Sequence, residues 1–130
     1  MTYTLTIHQK PTYLHAVVTG VNTRENVEGY LAELSRECTS RNCFKVLIEE
    51  SLEGPRLPTL DVFEIVTGRA RDARPKMHAV AYVDVNAAGE LMHFAETVAV
   101  NWGLPVATFS TVAEAEGWLL AEHPPGTRTA

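Results

Sequence analysis

Cysteine is scarce in this chain: Cys38 and Cys43 are the two among 130 residues. Two thiols cannot alone build a disulfide framework or a four-ligand zinc site. Cys38 falls on the apolar stripe of a predicted helix and Cys43 just before a strand, so both read as buried free thiols. Nowhere do eighteen apolar residues run together, which removes a transmembrane span. Met1 to Lys10 holds no apolar h-region, so no signal peptide is expected there and cytoplasmic placement is the expectation. Lys and Arg number 11 against 16 Asp and Glu, a net charge of −5. That balance argues against a nucleic-acid partner, which needs a basic footprint. The one basic cluster, Arg69, Arg71, Arg74 and Lys76, falls at a predicted helix C-terminus, where cations complement the dipole. The chain has no G-x-S-x-G elbow, no phosphate loop and no G-x-G-x-x-G. His8, His15, His78, His93 and His123 are scattered, and His93 with Glu96, three apart, reads as a solvated-face contact. No metal site, cofactor or catalytic residue is expected.

What is present is a core. One domain of this length buries roughly two-thirds of its unfolded surface, and 45% of the residues are hydrophobic, so no staple is required. Thr2 to His8 alternates, with Tyr3, Leu5 and Ile7 on one face, and Tyr13 to Thr19 resumes after Pro11, which predicts an antiparallel hairpin. Asn22 or Thr23 can cap a helix to about Arg41, with Val27, Tyr30, Leu31, Leu34 and Cys38 at three- and four-residue spacing. Phe44 to Ile48 is a short apolar run of a doubly buried strand, ending in Glu49 and Glu50. Ser51 to Pro58 reads as a loop. Thr59 can cap a second helix, whose core face is expected at Leu60, Phe63, Val66, Ala70 and Ala73 and whose stop is Pro75. Met77 to Val85 is a second two-sided apolar strand, followed by a turn at 86–89. Leu91, Phe94, Ala95, Val98 and Trp102 share one face of a third helix. Pro105 to Phe109 is a strand, and Thr111 with Glu114 forms a capping box for a last helix carrying Val112, Ala115, Trp118 and Leu119 inward. The expectation is one α/β domain over 1–122 and a fraying tail over 123–130. Its mixed five-stranded sheet opens with an antiparallel hairpin, continues with parallel strands, and carries about four helices.

That element order, with the strings PTYLHAVVTG at 11–20, KVLIEESLEGP at 45–55, AYVDVN at 81–86, FAETVAVNWG at 94–103 and STVAEAEGWL at 110–119, resembles the SpoIIAA-like (STAS-type) family. The resemblance covers nearly all of residues 1–122. It implies a STAS fold and a non-enzymatic regulatory or partner-binding module. The family's phosphorylated serine, set in an Asp-Ser-Ser/Thr-Gly-like motif at the start of the helix after the third strand, has no counterpart. The corresponding stretch reads Leu57-Pro58-Thr59-Leu60-Asp61-Val62, and neither Thr59 nor Ser51 is carried over as a phosphosite.

In open α/β sheets ligands favour the crevice beyond the carboxyl ends of the parallel strands. That edge is expected to gather Glu49, Glu50, Ser51, Thr59, Asp84 and Asn86 as a weak ligand site. Leu57, Leu60, Phe63 and Phe94 are expected at a groove or interface between the second and third helices. Three functions stay open: a module binding a protein partner or small ligand, as a homodimer; an enzyme using the strand-end carboxylates; and a carrier holding an apolar ligand between helices.

Overall fold

The computed structural model describes residues 3–73, 77–84 and 89–121. Its elements are β1 (Tyr3–Gln9), β2 (Leu14–Val21), α1 (Arg24–Arg41), β3 (Lys45–Glu53), α2 (Thr59–Ala73), β4 (Ala79–Asp84), α3 (Gly89–Asn101), β5 (Val106–Phe109) and α4 (Val112–Leu120). The five strands lie in chain order across one sheet; β1 and β2 are antiparallel and every later pair is parallel. The chain is thus an α/β fold with a mixed sheet and four helices. A strand order that steps one way, with crossovers of one hand, sets successive helices on the same face. There α1 buries Val27, Tyr30, Leu34 and Cys38 with Val46, Ile48 and Leu52 of β3. On the opposite face α4 buries Ala115 and Leu119 against Leu47, Ala81 and Val83.

Local chemistry explains the boundaries. Thr23 is the α1 N-cap, its hydroxyl accepting from Asn26 N. Asn22, the other candidate, instead donates to Pro55 O at 2.9 Å. Asn42 ends the helix in the left-handed region (φ 51°), its N–H reaching Cys38 O and Thr39 O, a conformation asparagine tolerates better than most residues. Gly29 has a packing reason: a Cβ there would stand 3.1 Å from the Tyr3 ring. Thr111 and Glu114 form the expected cap, with Glu114 N–H donating to Thr111 Oγ1 at 3.2 Å.

Three expectations are corrected. First, β3 extends to Glu53, so Glu49, Glu50 and Ser51 lie inside the strand and the loop shrinks to 54–58. β2 supplies ladder partners that far, Glu53 pairing with Val21, and β4 supplies them up to Glu50, which pairs with Asp84; this tertiary pairing overrides the weak strand preference of glutamate. Second, the core face of α2 is not the Leu60–Phe63 stripe. Leu60 and Phe63 are 65% and 39% exposed, whereas Ile65 and Thr67 are buried. Both stripes satisfy helical spacing. The stripe that is buried is the one packed inward, with Ile65 in the core cluster of α1 and β3, and at the surface Arg24 of α1 pairs with Asp61 at 3.1 Å and Glu64 at 2.5 Å. The first α2 bond runs from Val62 N to Pro58 O, so Pro58, not Thr59, occupies the cap position. Third, Glu96 of α3 is buried rather than solvated, and Trp102 is 39% exposed. Pro75, Arg74, Lys76, the turn residues 86–88 and the tail from His123 lie outside the described residues. Among the described residues no helix is long and apolar enough to cross a membrane.

Candidate functional site

The helix layer is not uniformly seated. α2 lies closest to α3 and, less, to α1, and its Ile65 joins the core cluster that holds Val46 and Ile48 of β3. Beneath α2 lies a chamber of about 200 Å3 floored by β3, β4 and β5. Strand register builds its floor in rows. Val46, Val80 and Val106 are partners in the first, and Ile48, Tyr82 and Thr108 in the second. Glu50 and Asp84 make the third. The floor therefore runs from aliphatic to polar toward the carboxyl ends of the strands. Leu31 and Leu34 of α1, Val62, Ile65 and Val66 of α2, and Met92, Ala95 and Ala99 of α3 complete a largely apolar wall.

The polar end is a connected cluster. Glu50 is 3% exposed and Asp84 8%. The Tyr30 hydroxyl donates to Glu50 Oε2, and Glu50 is also hydrogen-bonded to Tyr82 and Asp84. Arg56 closes this end from the 54–58 loop: Nη1 donates to Asp84 Oδ2 at 3.2 Å, and Nη2 to Leu52 O at 2.7 Å and Gly54 O at 3.0 Å. Gly54, at φ +104°, supplies the left-handed turn that brings the chain back over the strand end. Burial pushes the Glu50 carboxyl up to about 7, the Tyr30 hydrogen bond opposes it, and the neighbouring Asp84 charge adds to it. Burial first, then the Glu50 charge, holds the Tyr30 and Tyr82 phenols well above their ordinary range. A carboxyl poised near neutrality in a mostly apolar chamber can donate a hydrogen bond, accept one, or exchange a proton with a bound molecule.

Of the six residues expected at the strand edge, the fold brings Glu50 and Asp84 together at this end. Alternation sends Glu49 and Ser51 to the opposite face, where Glu49 bonds His15 Nε2 at 2.9 Å. Thr59 is exposed at the start of α2, and Asn86 lies outside the described residues. Of the expected interface set, Leu57 lines the chamber, Leu60 and Phe63 face outward, and Phe94 is half-buried. Phe63 meets Trp102 edge-on at 6.5 Å between ring centres.

Sequence reasoning missed Tyr30, Arg56 and Glu96. Tyr30 sits in a plain apolar stripe. Arg56 occupies a loop with no periodic signal. Glu96 stands four residues after Met92 and three before Ala99, on the inward side of α3 by helical spacing, the one available clue. It accepts from Thr108 N at 2.6 Å and Thr108 Oγ1 at 3.0 Å, tying α3 to the edge strand. Among the described residues no three His, Cys, Asp or Glu side chains are grouped to hold a metal ion. No protein-family model and no curated protein matches the chain.

Proposed function

We propose that this protein is a ligand-binding module that takes one small, mainly apolar molecule into the chamber beneath α2. The supporting observation is the floor gradient: three valines, then Ile48, Tyr82 and Thr108, then Glu50 and Asp84 in register. This floor puts two buried carboxyls at one end, where Arg56 pairs with Asp84 and the Tyr30 hydroxyl holds Glu50, and apolar side chains at the other. An apolar molecule with one polar end fits it in a single orientation. The SpoIIAA-like resemblance belongs to the same reading, and the strand–helix order and mixed sheet support it. The reading includes self-association through the face formed by Leu60 and Phe63 of α2 and Trp102 just past α3, whose exposed apolar surface suits an isologous contact.

Native mass spectrometry of the gently purified protein tests the binding role. The expected result is a bound small molecule that is lost in Ala95→Leu, where the larger side chain enters the chamber. Absence of any adduct, together with no shift of chamber methyl resonances on adding ethylbenzene, contradicts it. Acid–base catalysis by Glu50 is the second reading, favoured by its pKa of about 7, in the range where a general acid or base works well. Chemical conversion of the retained molecule, lost in Glu50→Gln, would bring that reading forward.

A further inference from the structure

The polar end of the chamber has a charge pattern that selects among ligands. Asp84 has a cationic partner in Arg56 at 3.2 Å. Glu50, deeper and less exposed, is bonded to two phenols and to Asp84, and among the described residues no guanidinium or ammonium group pairs with it. Arg56 is turned to Asp84, Leu52 O and Gly54 O. A carboxylate or phosphate on the ligand would, above pH about 7, meet the Glu50 carboxylate, while Arg56 is already engaged by Asp84, Leu52 O and Gly54 O. A hydroxyl would satisfy hydrogen bonds yet, above pH about 7, leave the Glu50 carboxylate without a counter-charge. A primary ammonium has three N–H donors, and three oxygen acceptors converge here: the Glu50 carboxylate and the phenol oxygens of Tyr30 and Tyr82, whose lone pairs remain after each donates its proton.

Resting on the chamber reading above, we infer that the ligand class is a compact amine: a hydrocarbon body in the chamber and one ammonium group held by Glu50, Tyr30 and Tyr82. The size follows from volume. An apolar cavity of about 150 Å3 holds benzene, so about 200 Å3 suits a body of roughly eight to ten non-hydrogen atoms rather than a long acyl chain. Proton balance gives the inference its signature. In the empty protein Glu50 keeps its proton up to pH of about 7. An incoming ammonium ion favours the carboxylate, so that proton leaves to solvent as the amine enters. Affinity therefore rises with pH up to about 7, then levels until the amine loses its own proton. The groups hydrogen-bonded to or coupled with Glu50 are Tyr30 from α1 and Tyr82 and Asp84 from β4, with Arg56 behind Asp84; Arg69 of α2 and Glu96 of α3 also line the chamber, and Glu96 is held by Thr108.

The test is a methyl-resolved NMR titration of the whole chain with 2-phenylethylamine, 2-phenylethanol, phenylacetate and ethylbenzene at pH 6 and pH 8. The amine is expected to shift chamber methyls of Ile65, Val80 and Val106 and, at pH 8, to bind at least about tenfold more tightly than phenylacetate or phenylethanol. Its affinity should fall by up to about tenfold at pH 6, as expected for one coupled proton. In Glu50→Gln the amine preference and pH dependence should vanish while ethylbenzene still binds. Equal or better binding of phenylacetate or phenylethanol at pH 8, or an amine affinity flat from pH 6 to pH 8, overturns the ammonium inference and leaves the chamber reading standing. Failure of every probe, ethylbenzene included, to move these methyls in folded protein overturns the chamber reading itself. The wild-type pH comparison stands alone if Glu50→Gln fails to fold.

Discussion

Glu50 sits in the middle strand of the sheet with 3% of its surface exposed, surrounded by groups that hydrogen-bond it without neutralising it. Its carboxyl is raised to about 7, chiefly by burial. A carboxyl raised on folding contributes its full stability below the ordinary carboxylate range and loses it as pH climbs through about 7. Glu50→Gln keeps the shape and removes this titration. Urea unfolding should therefore show the variant gaining on wild type by roughly 2–3 kcal/mol between pH 4 and pH 8; an unchanged difference would mean that Glu50 is not buried as described. Arg56 carries the opposite expectation. Its side chain is 22% exposed and that of Asp84 5%, and removing one partner of such a pair leaves a buried charge uncompensated. Arg56→Ala should cost about 3 kcal/mol in the same assay, and a cost under about 1 kcal/mol would show the pair to be solvated.

At the scale of elements, the expected strands and helices were legible because their periodicities were clear. Hairpin alternation, the Thr111–Glu114 cap and the apolar runs of β3 and β4 all appear in the fold. What sequence could not settle was rotation. In α2 the stripe Leu60–Phe63–Val66 and the stripe Val62–Ile65–Val66 both obey helical spacing. The arbiter is tertiary packing, which puts Ile65 into the core cluster with residues of α1 and β3, contacts outside any local window; the exposed Arg24–Asp61 pair, 37 residues apart in the chain, is too weak to decide it. The same limit hid part of the site. Glu50 and Asp84 were legible as strand-end carboxylates, whereas Tyr30 and Arg56 join them only through the packing of α1 and the Gly54 turn. Ala95→Leu probes the element-scale claim that α3 looks into open space. It should raise stability by about 1 kcal/mol by filling the chamber, read as a higher urea midpoint. A loss of stability would mean that the space is already occupied by side chains.

For the whole molecule, the two sheet faces have different roles. α4 covers the β3–β5 half of one face, with Tyr13 donating to Glu116 at 2.5 Å from the strand side, and Thr4, Thr6 and His8 of β1 remain exposed there. The other face carries three helices, the chamber, and the outward patch of Leu60, Phe63 and Trp102. If that patch joins two copies, Leu60→Glu with Phe63→Glu should convert a dimer to a monomer in sedimentation velocity with little change in unfolding midpoint; an unchanged sedimentation coefficient would exclude this face as the contact. The chamber is the claim on which the rest stands, and a crystal pressurised with xenon tests it most directly, because xenon enters apolar cavities that have room for it. Xenon density is expected between Ile65 and Val66 above and Val80 and Val106 below. A structure in which α2 lies down on the sheet, its side chains filling that space and no xenon bound, would contradict it.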